Sequence, residues 1–400
     1  YMALSIAIIT LLGLLFHKTF RKFNLPGLLG LLLLGMLLGP FGLNQIDETL
    51  LAISADLRKM ALIIILFRAG LGISRDNLNS VGAEAVKISV IPCVMEGSLI
   101  TFLAMTWLGY PFLEAGMLGF IVAAVSPAVI VPSMLSLMED KEKINQRIPT
   151  LILAGASLDD VIAITFLSSF IGIFGGASVN LIWQVASVPV SIVTGLVLGG
   201  IAAVILLQLF DRYDIRHTKK AMMLVGAGIV LTAMEDALQG IVPVAALLGV
   251  MFAGFLILER KPDVAQALAD KLSKVWVLAE ILLFVMVGAA VNFSLALEAG
   301  WWGLLLIAAG LIARSVGVLL SITGKHYTIK EKLFCVIAYI PKATVQAATG
   351  ALPLAAGALY GEEILALAVL SIVVTAPLGA IGIQWGREKL LKNQAESVTE

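Results

Sequence analysis

The chain has 400 residues, of which 60% are hydrophobic and only 14% charged, with no formal net charge at pH 7 and a mean hydropathy of +1.02. An ordinary soluble domain carries about a quarter charged residues, so this composition excludes a water-soluble globular protein, and the lack of a continuous basic face argues against a nucleic-acid partner. Apolar stretches of about 17–25 residues recur along the chain, each able to cross a ~30 Å hydrocarbon layer, which predicts an all-α polytopic membrane protein rather than a β-barrel of short alternating strands.

Thirteen spans are predicted, near residues 2–16, 25–40, 57–74, 84–107, 114–136, 147–173, 180–208, 218–236, 240–258, 273–292, 301–322, 332–356 and 361–386. The second carries Gly35 and Gly39 in GxxxG spacing, which suits close helix packing and need not mark a dimer contact. The third has Arg58 and Lys59 at its edge and Arg68 within it; the fourth holds Lys87, Cys93 and Glu96. The fifth contains SPAVIVPS with Pro127 and Pro132, and the sixth contains ASLDDVIAI with Asp159 and Asp160. Glu235 and Asp236 close the eighth, and Glu280 lies in the tenth. Trp301 and Trp302 open the eleventh as interfacial anchors. Arg314 follows in that span, and the twelfth contains PKATVQAATGALP with Lys342 and Cys335 nearby. The two cysteines read as small buried packing residues rather than a disulfide or metal pair.

The loops sort by charge. Those after spans 1, 3, 5, 7, 9 and 11, together with the tail, hold 21 of the 27 Lys and Arg residues, whereas the alternate loops hold none. Basic loops stay in the cytoplasm, so the N-terminus is expected outside and the C-terminus inside. His17, His217 and His326 fall in predicted cytoplasmic loops and read as solvated.

Ionisable groups inside a bilayer cost several kcal/mol unless paired or hydrated. Asp159 and Asp160 lie roughly 18 Å into their span at 1.5 Å per residue, near its middle. Glu96, Arg314 and Lys342 are predicted at similar depth. Glu96 and Arg314 are expected to neutralise each other, leaving both aspartates with surplus negative charge. Proline removes a backbone donor and frees carbonyls, and such groups are tolerated in a bilayer only where they face protein or a water-filled cavity. Spans 5 and 12 are therefore predicted to be broken. They are seven apart in order, as are spans 4 and 11, and an odd offset reverses direction through the membrane. That is the pattern of an inverted-topology repeat with ion sites between discontinuous helices.

Taken together, SPAVIVPSM (126–134), ASLDDVIAI (156–164), LIARSVG around Arg314 and IPKATVQAATG (340–350) resemble monovalent cation:proton antiporters of the second clade, nearest to the NHA-type sodium/proton exchangers. The resemblance implies an NhaA-like antiporter fold: inverted repeats with two discontinuous crossing helices. It implies a core transport domain over about 84–173 and 301–386, a dimerisation or scaffold domain over about 1–74 and 218–292, and a linker helix over about 180–208. It further implies elevator-type alternating access, a homodimer in lipid, and no cofactor. Carried over by residue, the paired acids fall on Asp159 and Asp160, with Asp160 the principal ligand for Na⁺ or Li⁺. Arg314 is expected to pair with Glu96, and Lys342 to offset a helix-end dipole. Eukaryotic members carry an additional first helix that this chain does not show, so a bacterial inner membrane is expected.

A hard alkali cation prefers oxygen ligands, and Ser126 and Ser157 are candidate neutral ones; Ser157 reads equally as an ordinary intrahelical hydroxyl. Two adjacent buried acids titrate as a coupled unit, and a carboxylate that takes either a proton or a cation suffices for exchange. Arg314 does not release its proton at working pH, so protons must travel on carboxylates. Consecutive aspartates about 100° apart on one helix do not make the facing dyad of an intramembrane protease. A sodium-coupled symporter for an organic substrate is the alternative, and would need a larger cavity. A channel is disfavoured because no repeated carbonyl filter is present.

Overall fold

The computed structural model describes residues 1–23, 25–139, 145–175, 181–238, 241–323 and 327–392. Lys141, Lys143, Lys325 and His326 lie outside them. Every element is helical: α1 (Met2–Lys22), α2 (Gly27–Leu38), α3 (Glu48–Ala52), α4 (Ser54–Gly72), α5 (Arg75–Trp107), α6 (Phe112–Ala123), α7 (Pro127–Glu139), α8 (Arg147–Phe174), α9 (Leu181–Arg212), α10 (His217–Leu238), α11 (Ala246–Arg260), α12 (Pro262–Ala289), α13 (Phe293–Glu298), α14 (Gly300–Ser321), α15 (Ile329–Ala338), α16 (Thr344–Thr349), α17 (Leu352–Ala355) and α18 (Gly361–Gly386), followed by a wider helical turn over Arg387–Lys392.

Among the described residues, nine helical segments are long and apolar enough to cross a membrane. The chain is thus an integral, all-helical polytopic membrane protein. Four predicted spans fall short of that test for visible reasons. The second is only 12 residues long as α2, and the ninth 15 as α11. The third, α4, carries Asp56, Arg58, Lys59 and Arg68, and the twelfth is divided into α15, α16 and α17.

Several boundaries differ from the sequence expectation. Helix α5 starts nine residues before the predicted 84, with Asp76 in its first turn complementing the helix dipole. Helix α12 starts at Pro262, a residue preset for the first helical position, so Lys271 and Lys274 lie on a helix rather than in a loop. His17 likewise sits on α1. Helix α11 starts later than predicted because the stretch around Pro243 stays non-helical. There Thr194 Oγ1 donates to Pro243 O at 2.6 Å and Ala245 N donates to Ser191 O at 3.0 Å. Helix α15 opens with a capping box between Thr328 and Glu331.

The helices pack in two groups. Helix α5 lies against α6, α8 and α14, with α15 and α18 adjoining; α4 lies against α11 and α12, and α12 against α2. Helices α7 and α9 bridge the groups through α4 and α8 respectively. The GxxxG stripe of α2 belongs to this internal packing: a Cβ added at Gly35 would strike Val285 O, and one at Gly288 would strike Leu32 O. Gly35→Leu is therefore expected to force α2 from α12 and cost on the order of 3 kcal/mol. Thermal unfolding in detergent checks this, and an unchanged midpoint would count against the contact. Trp301 and Trp302 are exposed at the start of α14, as predicted of anchors, and Cys93 and Cys335 are free and buried.

Candidate functional site

Both proline-marked spans are interrupted at their centres. The first break, residues 124–126, separates α6 from α7; Ala124 is extended, and Pro127 starts α7 where its missing N–H costs no hydrogen bond. Pro132 sits inside α7 without interrupting it. The second break, residues 339–343, separates α15 from α16 and contains Pro341 and Lys342. Lys342 therefore stands off any helix, within the interruption itself.

The breaks are stitched together. Ser126 N donates to Pro341 O at 2.9 Å, and Ser126 Oγ lies 3.4 Å from Thr344 Oγ1. Gln346, one turn beyond Lys342, donates through Nε2 to Ile121 O at 2.9 Å and to Ala124 O at 2.8 Å. Arg314 donates to Ala123 O. The carbonyls freed at the end of α6 are thus satisfied by protein donors, as a helix terminus away from water requires. Sequence reasoning missed Gln346, because the need for it arises only when α6 and α16 meet. Gln346→Leu is expected to orphan two buried carbonyls at about 1–3 kcal/mol each. A lower melting temperature in detergent checks it.

Three helices and the second break bring the charges together. Arg314 on α14 pairs through Nε with Glu96 on α5, and its other nitrogens reach Asp159 on α8 at 3.2 and 3.5 Å. Lys342 Nζ bonds the same Glu96 oxygen at 2.7 Å. Asp159 also accepts from Val125 N at 2.9 Å, a donor supplied by the first break. Glu96, Asp159 and Lys342 are all 0% exposed and Arg314 1%. The pairing of Glu96 with Arg314 is present, but the expectation that it leaves both aspartates free is corrected. A guanidinium has five donors in a rigid fork, so Arg314 spans Glu96, Ala123 O and Asp159 at once, while Lys342 adds a second cation on Glu96. Two acids and two bases close on themselves.

Asp160 stands outside that closed set. Its Oδ1 is buried with no hydrogen-bond partner, and its side chain lines a cavity of about 760 Å³ between the two helix groups. Pro127 at the first break, Ser157, Thr165 and Thr344 line the same cavity. Ser157 Oγ also donates to Leu153 O at 3.0 Å, the ordinary intrahelical bond. Ser126 is fully buried behind the cavity wall; the hydroxyl beside it that reaches the cavity is Thr344, which sequence reasoning did not single out. Glu235, half-buried, also lines the cavity, as does the exposed Asp236, which pairs with Lys59 at 2.8 Å. A carboxylate oxygen without a partner, beside a cavity with hydroxyls in its wall, offers the oxygen ligands that a small cation or a proton takes.

Comparison with known proteins follows the same line. The family described as sodium/hydrogen exchanger, transmembrane, matches residues 6–386. A human protein called sodium/hydrogen exchanger 9B2 is 33% identical over 375 residues, covering 89% of this chain and 68% of that protein. Its namesake from Xenopus tropicalis is 34% identical over 390 residues, covering 92% of this chain and 71% of that protein. Among solved structures, the sodium proton antiporter MjNhaP1 from Methanocaldococcus jannaschii at pH 8 aligns with a TM-score of 0.78 at 22% identity, covering 96% of this chain and 97% of that one. At that identity the likeness is one of fold.

Proposed function

This chain belongs to the sodium/hydrogen exchanger family, and on that premise we propose that it exchanges Na⁺ or Li⁺ for H⁺ at Asp160. The observation that carries this reading is the half-buried carboxylate of Asp160 in the cavity wall, with one oxygen lacking a partner, beside a set of charges that neutralises itself. Either a cation or a proton satisfies that carboxylate, and each excludes the other. Thr344 and Ser157 supply neutral oxygens, Ser126 supports Thr344 from behind, and Asp159 is held by Arg314 and Val125 as the fixed neighbour of Asp160.

The remaining architecture is proposed on the resemblance and on the helix packing. Thirteen spans form inverted repeats with two discontinuous crossing helices. The group around α5, α6, α8, α14 and α18 is the transport core, the group around α2, α4, α11 and α12 is the scaffold and dimer side, and α9 links them. In the orientation set by the basic loops, the rim with Lys59 and Asp236 faces outward, so this conformation offers Asp160 to the outside. Sliding of the core against the scaffold would then present it to the cytoplasm. A homodimer in a bacterial inner membrane completes the proposal.

Vesicles with an imposed pH gradient, challenged in turn with Na⁺, Li⁺ and K⁺, test it. Dissipation by Na⁺ or Li⁺ is expected, and protons should compete, so the apparent cation KM rises as pH falls. A cavity of about 760 Å³ falls within the range of small-molecule sites, which favours the symporter alternative on size alone. That alternative predicts Na⁺-driven uptake of an organic solute with no dissipation of the pH gradient by Na⁺ alone.

A further inference from the structure

Tyr339 is completely buried, and its hydroxyl has no hydrogen-bond partner. Leaving a buried polar group without a partner costs stability, so the hydroxyl is a burden on the fold and whatever this residue contributes comes from its ring. The residue ends α15 where the second break begins. Its ring lies against the guanidinium of Arg314, with Cζ 5.8 Å from the ring centroid. Its hydroxyl abuts Gly155 on α8, where an added Cβ would collide with the phenol oxygen. Gly155 is one helical turn before Asp159. The phenol is thus wedged between the arginine of the charge cluster and the helix that carries both aspartates.

The groups that act on Arg314 and its neighbours are Cys93 and Glu96 on α5, Asp159 and Asp160 on α8, and Lys342 in the break. Arg314 has bonds to Glu96, Ala123 O and Asp159. Asp160, the next residue, is an unpartnered carboxylate that already feels the arginine through space. A guanidinium free to tilt would find a fourth acceptor there.

We propose that Tyr339 is a positioning residue for exchange: the face of its ring holds Arg314 in the plane that spans Glu96 and Asp159, keeping that charge off Asp160, and its hydroxyl takes no part. This rests on the exchange reading above. Removing the ring lets Arg314 compete with the cation for Asp160, so the effect falls on cation affinity rather than on the maximal rate. A cation–π contact at the edge of its ~6 Å range, weaker than the best desolvated ones, corresponds to about a tenfold change in equilibrium.

The test is the Na⁺ concentration dependence of proton flux in vesicles. Tyr339→Leu is expected to raise the cation KM about tenfold with little change in maximal rate, whereas Tyr339→Phe keeps the wild-type KM. Gly155→Ala, whose added Cβ would meet both the phenol oxygen and Ile88 Cγ2, is expected to raise KM as well, and adding Tyr339→Phe to it is expected to lower KM only part of the way, because the contact with Ile88 remains. A Tyr339→Phe variant as impaired as Tyr339→Leu would overturn the proposal, as would a wild-type KM in Tyr339→Leu. Should Tyr339→Leu not fold, a KM raised above the wild-type value in Tyr339→Phe overturns it instead. Active wild type with the wrong variant pattern faults this inference alone; inactive wild type faults the exchange reading and this inference with it.

Discussion

Asp160→Asn is expected to abolish cation-driven proton flux in vesicles while leaving the protein folded. The substitution conserves shape and removes the one acid of the central group that has no cation partner. An amide neither carries the exchanged proton nor offsets the charge of an alkali ion drawn out of water. Holding that ion unpaired costs several kcal/mol, so a loss of at least about a hundredfold follows. Stability should move the other way. An unpaired buried carboxylate is a burden on the fold, and its neutral isostere is expected to melt at or above the wild-type temperature in detergent. Asp159→Asn supplies the contrast. It weakens the bonds to Arg314 and Val125 N and should lower the melting temperature. Retained flux in Asp160→Asn, or the reverse order of stabilities, would contradict the division of labour between the two acids.

The second large effect is at Arg314. Arg314→Ala removes the partner of two buried acids and of Ala123 O, leaving Lys342 alone with Glu96 and Asp159 with only Val125 N. Breaking a buried pair from one side costs about 3–5 kcal/mol, so poor yield of folded protein and a sharply lower melting temperature are expected. Arg314→Lys is the milder probe. An ammonium is a point charge that does not reproduce the fork, so it cannot hold Glu96, Ala123 O and Asp159 together. It can also release its proton when buried, which arginine does not. Transport by this variant is therefore expected to differ in pH dependence or voltage sensitivity. Behaviour identical to wild type in both would show that the arginine is not what confines proton movement to carboxylates.

Much of this was legible in the sequence because bilayer chemistry is strict. Two adjacent aspartates in an otherwise uncharged run and Pro127 and Pro341 at mid-span each break a rule that lipid enforces, and the crowding of basic residues into alternate loops follows one. Those signals point to the aspartates and to both breaks, but not to Thr344 or Gln346. What remained hidden depends on distances across the chain. Gln346 reads as an unremarkable polar residue until α16 meets the end of α6 and two carbonyls need donors. Arg314 is 155 residues from Asp159, and nothing in the motifs says that its fork reaches past Glu96. Lys342 is expected at the break of span 12, offsetting a helix-end dipole, and only the folded arrangement puts its ammonium on Glu96. Tyr339 has no signal at all, since aromatic residues are common in spans. The boundary errors at α5 and α12 have one cause: both helices run on beyond the apolar stretch into polar residues, where hydropathy no longer marks them.

The account depends on a proton and a cation excluding one another at a single carboxylate, and purified protein in weakly buffered detergent tests that directly. Adding Na⁺ or Li⁺ at a pH where the carboxyl is protonated is predicted to release protons, saturably and in step with cation occupancy, from wild type and not from Asp160→Asn. Cation binding without proton release, or undiminished release from Asp160→Asn, would contradict it.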